Sequence, residues 1–258
     1  MTYTITFTNE EIKNKKPHSN TLKIAKHLFS VHGFLKIENL FSPEFIDTLA
    51  LDYQTRIPLE SGTKASNGRH IVPISFKGPF NDPTLYANTM LLPIIETLLG
   101  PNCILNTLGC ISALPGCTDQ HLHADYFPLF EEDLSTSNQI PAFAITVGVP
   151  LLDIDLLNGP TKIWSGSHLT YPIEQTMLAY PKHLLHGVKG SCYFWDYRTF
   201  HAGGSNHSEE VRSLLYLAYT RRWFKDILNP DMLKIEKEEF DKVPSEYKKL
   251  FAHKFKTN

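Results

Sequence analysis

The chain has 258 residues, 42% of them hydrophobic and 12% aromatic, enough to bury one sizeable core, and we expect a single domain over 1–258. Twenty-five Lys and Arg against 27 Asp and Glu give a net charge of −2, without the basic excess that draws a chain to phosphate backbones or anionic membrane surfaces. Nucleic acid and membrane are therefore not expected partners.

The opening, "MTYTITFTNEEIKNKKPHSN", carries no cationic-then-apolar leader; residues 1–20 are expected to be flexible and the protein cytoplasmic. Leu22, Ala25, Leu28 and Phe29 recur at helical spacing up to Gly33, and "FLKI" then reads as a short strand. Ser42 offers an N-cap with Pro43 at the first helical position, and Phe45, Ile46 and Leu49 form the buried stripe of a second helix. "LLPIIETLLGPN" is a short helix closed by Gly100 and Pro101. From there short apolar or alternating runs predict strands in "CILNTLGCISAL", "AFAITVGVPLL", "TKIWS", "GSCYFWDY" and "RSLLYLAYT", punctuated at Pro115-Gly116, Asn158-Gly159 and Gly203-Gly204. The longest apolar stretch, "PAFAITVGVPLLDIDLL", is too short and too broken by proline and aspartate to span a bilayer. Residues 222–258 return to helical character as a C-terminal extension, ending in "HKFKTN", which is no targeting tag. The order implies an α+β class, with N-terminal and C-terminal helices bracing a β-sandwich or barrel. Cys103, Cys110, Cys117 and Cys192 show no CxxC spacing and are expected to be buried free thiols.

Chemistry concentrates in "HLHADYFPLF", residues 121–130. On extended backbone His123 and Asp125, two apart, point to one face and can share a metal ion. Two groups on one strand cannot surround an ion, and His201 is the best third ligand. Arg212 follows it by eleven residues, a hairpin's length, so it can return to the same neighbourhood. Two imidazoles and one carboxylate leave a face of the ion open, as in non-haem Fe(II) oxygenases, and a guanidinium beside them can clamp a co-substrate carboxylate. By itself an HxD pattern in a chain with twelve histidines is equally a solvated polar loop.

The pattern does not stand alone. "GFLKIENLFSPEFIDTL", "IIETLLGPN", His123-Ala124-Asp125, "NGPTKIWSGSH" and "HAGGSNHSEEVR" occur in an order and approximate spacing that resembles the phytanoyl-CoA dioxygenase family of Fe(II)- and 2-oxoglutarate-dependent oxygenases, from about Gly33 to Tyr219. The resemblance implies a double-stranded β-helix, a cupin-like jelly roll, with Fe(II) held by His123, Asp125 and His201. Arg212 would pair with the distal carboxylate of 2-oxoglutarate, and O2 would be the second co-substrate. Ser112 matches a position where the family often supplies a polar contact to the co-substrate, and Asn106 shares its strand parity. Ser205, Asn206 and Ser208 would hold the turn after His201. Ser165 stands where the family commonly has proline. The implied reaction hydroxylates an unactivated C–H bond of a small organic metabolite and releases succinate and CO2. Related halogenases have a small residue where Asp125 stands, so this carboxylate favours hydroxylation; desaturation, epoxidation and ring formation use the same ligands.

Arg69, His121, Tyr126, Phe127, Trp164 and Trp223 are candidate walls of the substrate pocket, although large aromatics are more often core. His168 and His207 read as structural, and Asp153 and Asp155 as strand-end groups. Two other classes stay open, a cupin-like metalloenzyme without a 2-oxo acid and a silent small-molecule-binding protein on the same fold. The position of Arg212 speaks against the first and the complete triad against the second. Oligomeric state leaves no mark in the sequence.

Overall fold

The computed structural model describes residues 3–56, 63–65, 67–130, 132–170, 174–228 and 233–252. The chain opens with β1 (Thr4–Ile5) and α1 (Asn9–Asn14). Helix α1 is started by a capping box in which Thr8 and Glu11 bond reciprocally. Residues 3–20 are thus built into the fold where the sequence suggested a flexible lead. Helix α2 (Ser19–His32) buries Ala25, Phe29 and His32 and stops at Gly33. With φ of 77°, that position needs glycine, and a Cβ there would lie 2.5 Å from His168 Nδ1 and Thr199 Oγ1. Strand β2 (Phe34–Ile37) and helix α3 (Pro43–Arg56) follow. The Phe45 amide donates to the Ser42 hydroxyl, the cap that the sequence suggests.

Next come β3 (Thr63–Ala65), β4 (Arg69–Pro73), a one-turn α4 (Pro83–Tyr86) and α5 (Leu92–Leu99). The rest is mostly strand: β5 (Ile104–Ala113), then α6 (Leu134–Gln139), β6 (Ala144–Pro150), β7 (Thr161–Trp164), β8 (Lys182–Leu185), β9 (Cys192–Asp196), β10 (His201–Gly203) and β11 (Arg212–Thr220). The predicted C-terminal helix is divided at Pro244 into α7 (Lys237–Asp241) and a 3-10 segment, Ser245–Phe251, because proline cannot continue a helical ladder.

Eight strands make one sheet in the order β1-β2-β9-β6-β11-β5-β4-β3, antiparallel except for the β1–β2 pair. A second sheet has the order β10-β7-β8. The strands' period of two divides the large sheet into two faces. One carries Leu35, Leu108, Ile145, Val147, Phe194, Leu215 and Leu217 into the main core, against Phe29 of α2, Ile46 and Leu49 of α3 and Ile94 and Ile95 of α5. Phe251 of the C-terminal segment joins that core, so helices from both ends brace the sheet. The other face meets the small sheet through Phe34, Tyr193 and Trp195 packed on Ile163 and Leu185. All four cysteines are buried and free, and among the described residues no helix is long and apolar enough to cross a membrane.

Candidate active site

Between the two sheets the core opens into a cavity of about 200 Å³. His201 enters it from the start of β10, whose backbone exchanges two hydrogen bonds with the otherwise irregular segment at His123: His123 N to His201 O at 3.1 Å and His201 N to His123 O at 2.8 Å. The pairing sets the two imidazoles side by side, 4.4 Å between ring centres, and Asp125 follows two residues later. One potential ligand atom from each of His123, Asp125 and His201 lies within 4.8 Å of the others, a set able to surround one ion.

Hydrogen bonds choose which atoms face that point. His123 Nδ1 lies 2.9 Å from the His121 carbonyl and His201 Nδ1 lies 3.0 Å from the Thr199 carbonyl. A carbonyl only accepts, so both Nδ1 atoms carry the proton and both Nε2 lone pairs are free to bind metal. Asp125 Oδ2 accepts from Thr146 Oγ1 at 2.6 Å and from Trp195 Nε1 at 2.9 Å, which leaves Oδ1 for the ion. Thr146 and Trp195 are register partners on β6 and β9, so both donors rise from one spot on the large sheet. Burial first, and the neighbouring His201 second, lower the His123 pKa to about 4 against the pull of Asp125; the ring is neutral at pH 7, the form a metal needs. The residues therefore fit a divalent ion with an open face.

Arg212, first residue of β11, lines the same cavity and is 3% exposed. Its Nε and Nη2 find no acceptor among the described residues. Burial, then the nearby Arg69, lower its pKa to about 10. Arg212 is therefore not a surface residue paired through Nε or Nη2 with the neighbouring Glu209 or Glu210. A buried, underbonded cation facing a cavity can receive a carboxylate.

Other candidates fall elsewhere. Ser112 is fully buried on the helix-facing side of β5, bonded to Tyr53 Oη and Ser213 Oγ at 2.8 Å each. Asn106 is the extra residue of a β-bulge where β5 pairs with β11, and its amide donates to Thr107. The bulge breaks the parity that would join Asn106 to Ser112, and Thr107 lines the cavity in their place. Arg69 is not in the cavity lining: it is wholly buried, with Nη1 and Nη2 donating to the carbonyls of Thr118, Gly203 and Gly204 and Nε without an acceptor among the described residues.

His121 is exposed and serves through its carbonyl. Tyr126 and Phe127 pack in an aromatic cluster with Phe143, Tyr197 and Phe224 and do not line the cavity. Trp164 is half-buried on β7 outside the lining, and Trp223 is 61% exposed with its edge toward Phe224. Leu214 and Tyr216 of the actual lining were recoverable from Arg212 by strand parity, but Thr146, Trp195 and Gln120 required the pairing itself.

The turn residues behave as expected. Asn206 donates to the carbonyls of Ala113 and Glu210 and accepts from Ser208, while His207 meets Ser205 at 2.9 Å. His168 is buried in a 3-10 turn, Ser165 contacts His32, Asp155 accepts from two amides of its own turn, and Asp153 accepts the Lys189 amide.

A family model described as phytanoyl-CoA dioxygenase (PhyH) matches residues 29–214. Among solved structures the fold is similar to the epimerase SnoN in complex with Fe3+, alpha ketoglutarate and nogalamycin RO (TM-score 0.65, 16% identity, 79% of this chain and 85% of that one). It is similar also to the non-heme alpha ketoglutarate dependent carbocyclase SnoK from nogalamycin biosynthesis (0.62, 17%, 80% and 84%). AviO1 from Streptomyces viridochromogenes Tue57 is a further match (0.59, 16%, 78% and 95%).

Proposed function

The chain belongs to the phytanoyl-CoA dioxygenase family, and from that premise we propose that it is an Fe(II)- and 2-oxoglutarate-dependent dioxygenase that hydroxylates a C–H bond of a small organic molecule. The observation that carries the reading is Arg212, a buried guanidinium with free Nε and Nη2, in the same cavity as His123, Asp125 and His201. When bound, iron with 2-oxoglutarate and O2 supplies the oxidation, with release of succinate and CO2. His123 Nε2, His201 Nε2 and Asp125 Oδ1 are the atoms that would hold the ion, and the carbonyls of His121 and Thr199 fix the imidazoles. Thr146 and Trp195 keep Asp125 to one ligand oxygen, and Arg212 grips the far carboxylate of the 2-oxo acid. A carboxylate at 125 fills the position a halide would need, which favours hydroxylation.

We read the two sheets as a double-stranded β-helix with the site at its mouth, in a single cytoplasmic domain with the C-terminal segment as an extension. The family name is no substrate assignment. Anaerobic addition of Fe(II) and 2-oxoglutarate together should raise a weak visible charge-transfer band. Its absence from the folded protein would overturn the co-substrate assignment and favour a metal site of another kind or a silent binder. With a substrate found by succinate release over a metabolite library, product mass sorts the outcomes into classes: one oxygen gained for hydroxylation or epoxidation, two hydrogens lost for desaturation or ring closure, no change for epimerisation.

A further inference from the structure

We propose that Arg69 is a positioning residue that fastens the two metal-ligand segments to each other and to the sheet bearing Arg212. The inference rests on the metal-site reading above and adds a residue that touches neither metal nor co-substrate. Arg69 on β4 and Arg212 on β11 are both register partners of Ala113 on β5, so the two arginines share a face of the large sheet with only a methyl between them.

Arg69 turns its fork away from the sheet. Nη1 donates to the carbonyl of Thr118, five residues before His123, and Nη2 donates to Gly203 at 3.1 Å and Gly204 at 2.6 Å, just beyond His201. These are the two segments that carry the imidazoles. They are joined also by the reciprocal His123–His201 bonds, by Gln120 N to Gly203 O at 2.9 Å, by Gly203 N to Gln120 Oε1 at 2.8 Å, by Ser205 N to Asp119 Oδ1 at 2.7 Å and, further from the imidazoles, by Gly116 N to Asn206 O at 2.8 Å and Asn206 N to Cys117 O at 3.1 Å.

Packing at this junction is close enough to transmit a displacement. A Cβ on Gly203 would lie 2.5 Å from Gln120 Oε1 and 3.3 Å from Arg69 Nε. Three carbonyls from two segments converge on one planar cation, a task for the guanidinium fork that a point ammonium cannot reproduce. Loss of the fork removes three of the bonds that tie the segments together and loosens the separation of the two Nε2 atoms. Substitutions of groups that orient ligands in this way typically lower metal affinity tenfold to a hundredfold.

The test is Co(II) binding to the full chain without 2-oxoglutarate, followed by titration and by ligand-field absorption. Arg69→Gln should bind Co(II) about tenfold to a hundredfold more weakly, with altered absorption, and Arg69→Lys should fall between it and the wild type. A residue that only stabilises the fold would lower Tm and leave the spectrum of the folded protein unchanged. Folded Arg69→Gln with wild-type affinity and spectrum would overturn the proposal. A wild-type chain that binds no Co(II) would instead overturn the triad assignment on which it rests. Should Arg69→Gln fail to fold, hydrogen exchange on Arg69→Lys decides. Faster exchange confined to the amides of Gln120, His123 and Gly203 supports the fastening role, and acceleration spread evenly into β5 and β11 refutes it.

Discussion

Replacing Arg212 with methionine should make the unliganded protein more stable while it destroys co-substrate binding. The guanidinium is almost wholly buried, two of its nitrogens have no acceptor among the described residues, and Arg69 lies nearby with a second positive charge. Burial and that neighbour lower the pKa from its ordinary arginine value to about 10. At about 1.4 kcal/mol per pKa step, the charge costs the unliganded fold on the order of 3 kcal/mol. The unfolded chain holds this proton more tightly than the folded one. The cost is therefore fully present at neutral pH and is relieved only as pH rises through about 10. Methionine keeps the alkyl packing and removes the charge. For a chain of this size each kcal/mol moves Tm by about 2–4 °C, so unliganded Arg212→Met should melt about 5 °C or more above the wild type.

Binding runs the other way. A charge-assisted carboxylate contact is worth about 1.5–3 kcal/mol, so 2-oxoglutarate affinity should fall by about tenfold to a hundredfold or more. Melting curves with and without 2-oxoglutarate, together with anaerobic titration of the Fe(II) protein, read both effects on one sample. A variant that melts lower than the wild type and still binds the 2-oxo acid normally would make Arg212 a structural cation, and the co-substrate assignment would lose its foundation.

Asp125→Ala should abolish substrate oxidation and weaken Fe(II) retention in equilibrium dialysis without unfolding; full activity without added halide or carboxylate would remove Asp125 from the metal. Thr146→Val keeps the shape and deletes one donor to Asp125 Oδ2, so Co(II) affinity should drop by about tenfold, toward the low end for orienting groups; unchanged affinity would leave Trp195 as the sole orienting donor. Glu11 is buried, and although burial pushes its pKa up, hydrogen bonds from Thr21, His18 and Thr8 outweigh it and hold the value at about 2. Its stabilisation is present above the ordinary 4.5 and lost as pH falls through 2, so Glu11→Gln should lose about 2 kcal/mol in urea melts at pH 7 and converge with the wild type near pH 2. A difference between the two that does not shrink in acid would point to packing in place of charge.

Local rules make α2, α3, α5 and the long strands β5, β6, β9 and β11 legible, because their caps and periodicities are written within a few residues of each element. Strand β10 is only three residues, His-Ala-Gly, and exists because β7 and the His123 segment pair with it. No local preference announces it. The Asn106 bulge is equally a property of the β5–β11 pair, and an uninterrupted count of alternate residues along β5 places Asn106 and Ser112 on one face wrongly. Arg69 reads as a polar wall because arginine is seldom fully buried; carbonyls from remote segments take its two terminal nitrogens, while its Nε has no acceptor among the described residues. The proposed metal ligands and Arg212 stand out in the sequence for the opposite reason: the chemistry proposed for them constrains residue type and spacing more tightly than packing does.

The site divides its demands between two kinds of backbone. His123 and His201 sit on short segments held by a handful of hydrogen bonds to each other, whereas Thr146, Trp195 and Arg212 sit on strands of the large sheet. That sheet is buttressed by helices on its far face, so its side chains keep their spacing whatever happens at the mouth. Changes in the loops around 118–123 and 201–205 should therefore fall first on metal affinity, and changes on β11 first on the 2-oxo acid. Asp125 belongs to both classes, since its backbone follows His123 in the mouth while its Oδ2 is held by two strands of the sheet. On the proposed reading it is the point at which a shift of either part is felt by the other, and so the ligand expected to couple co-substrate binding to the metal.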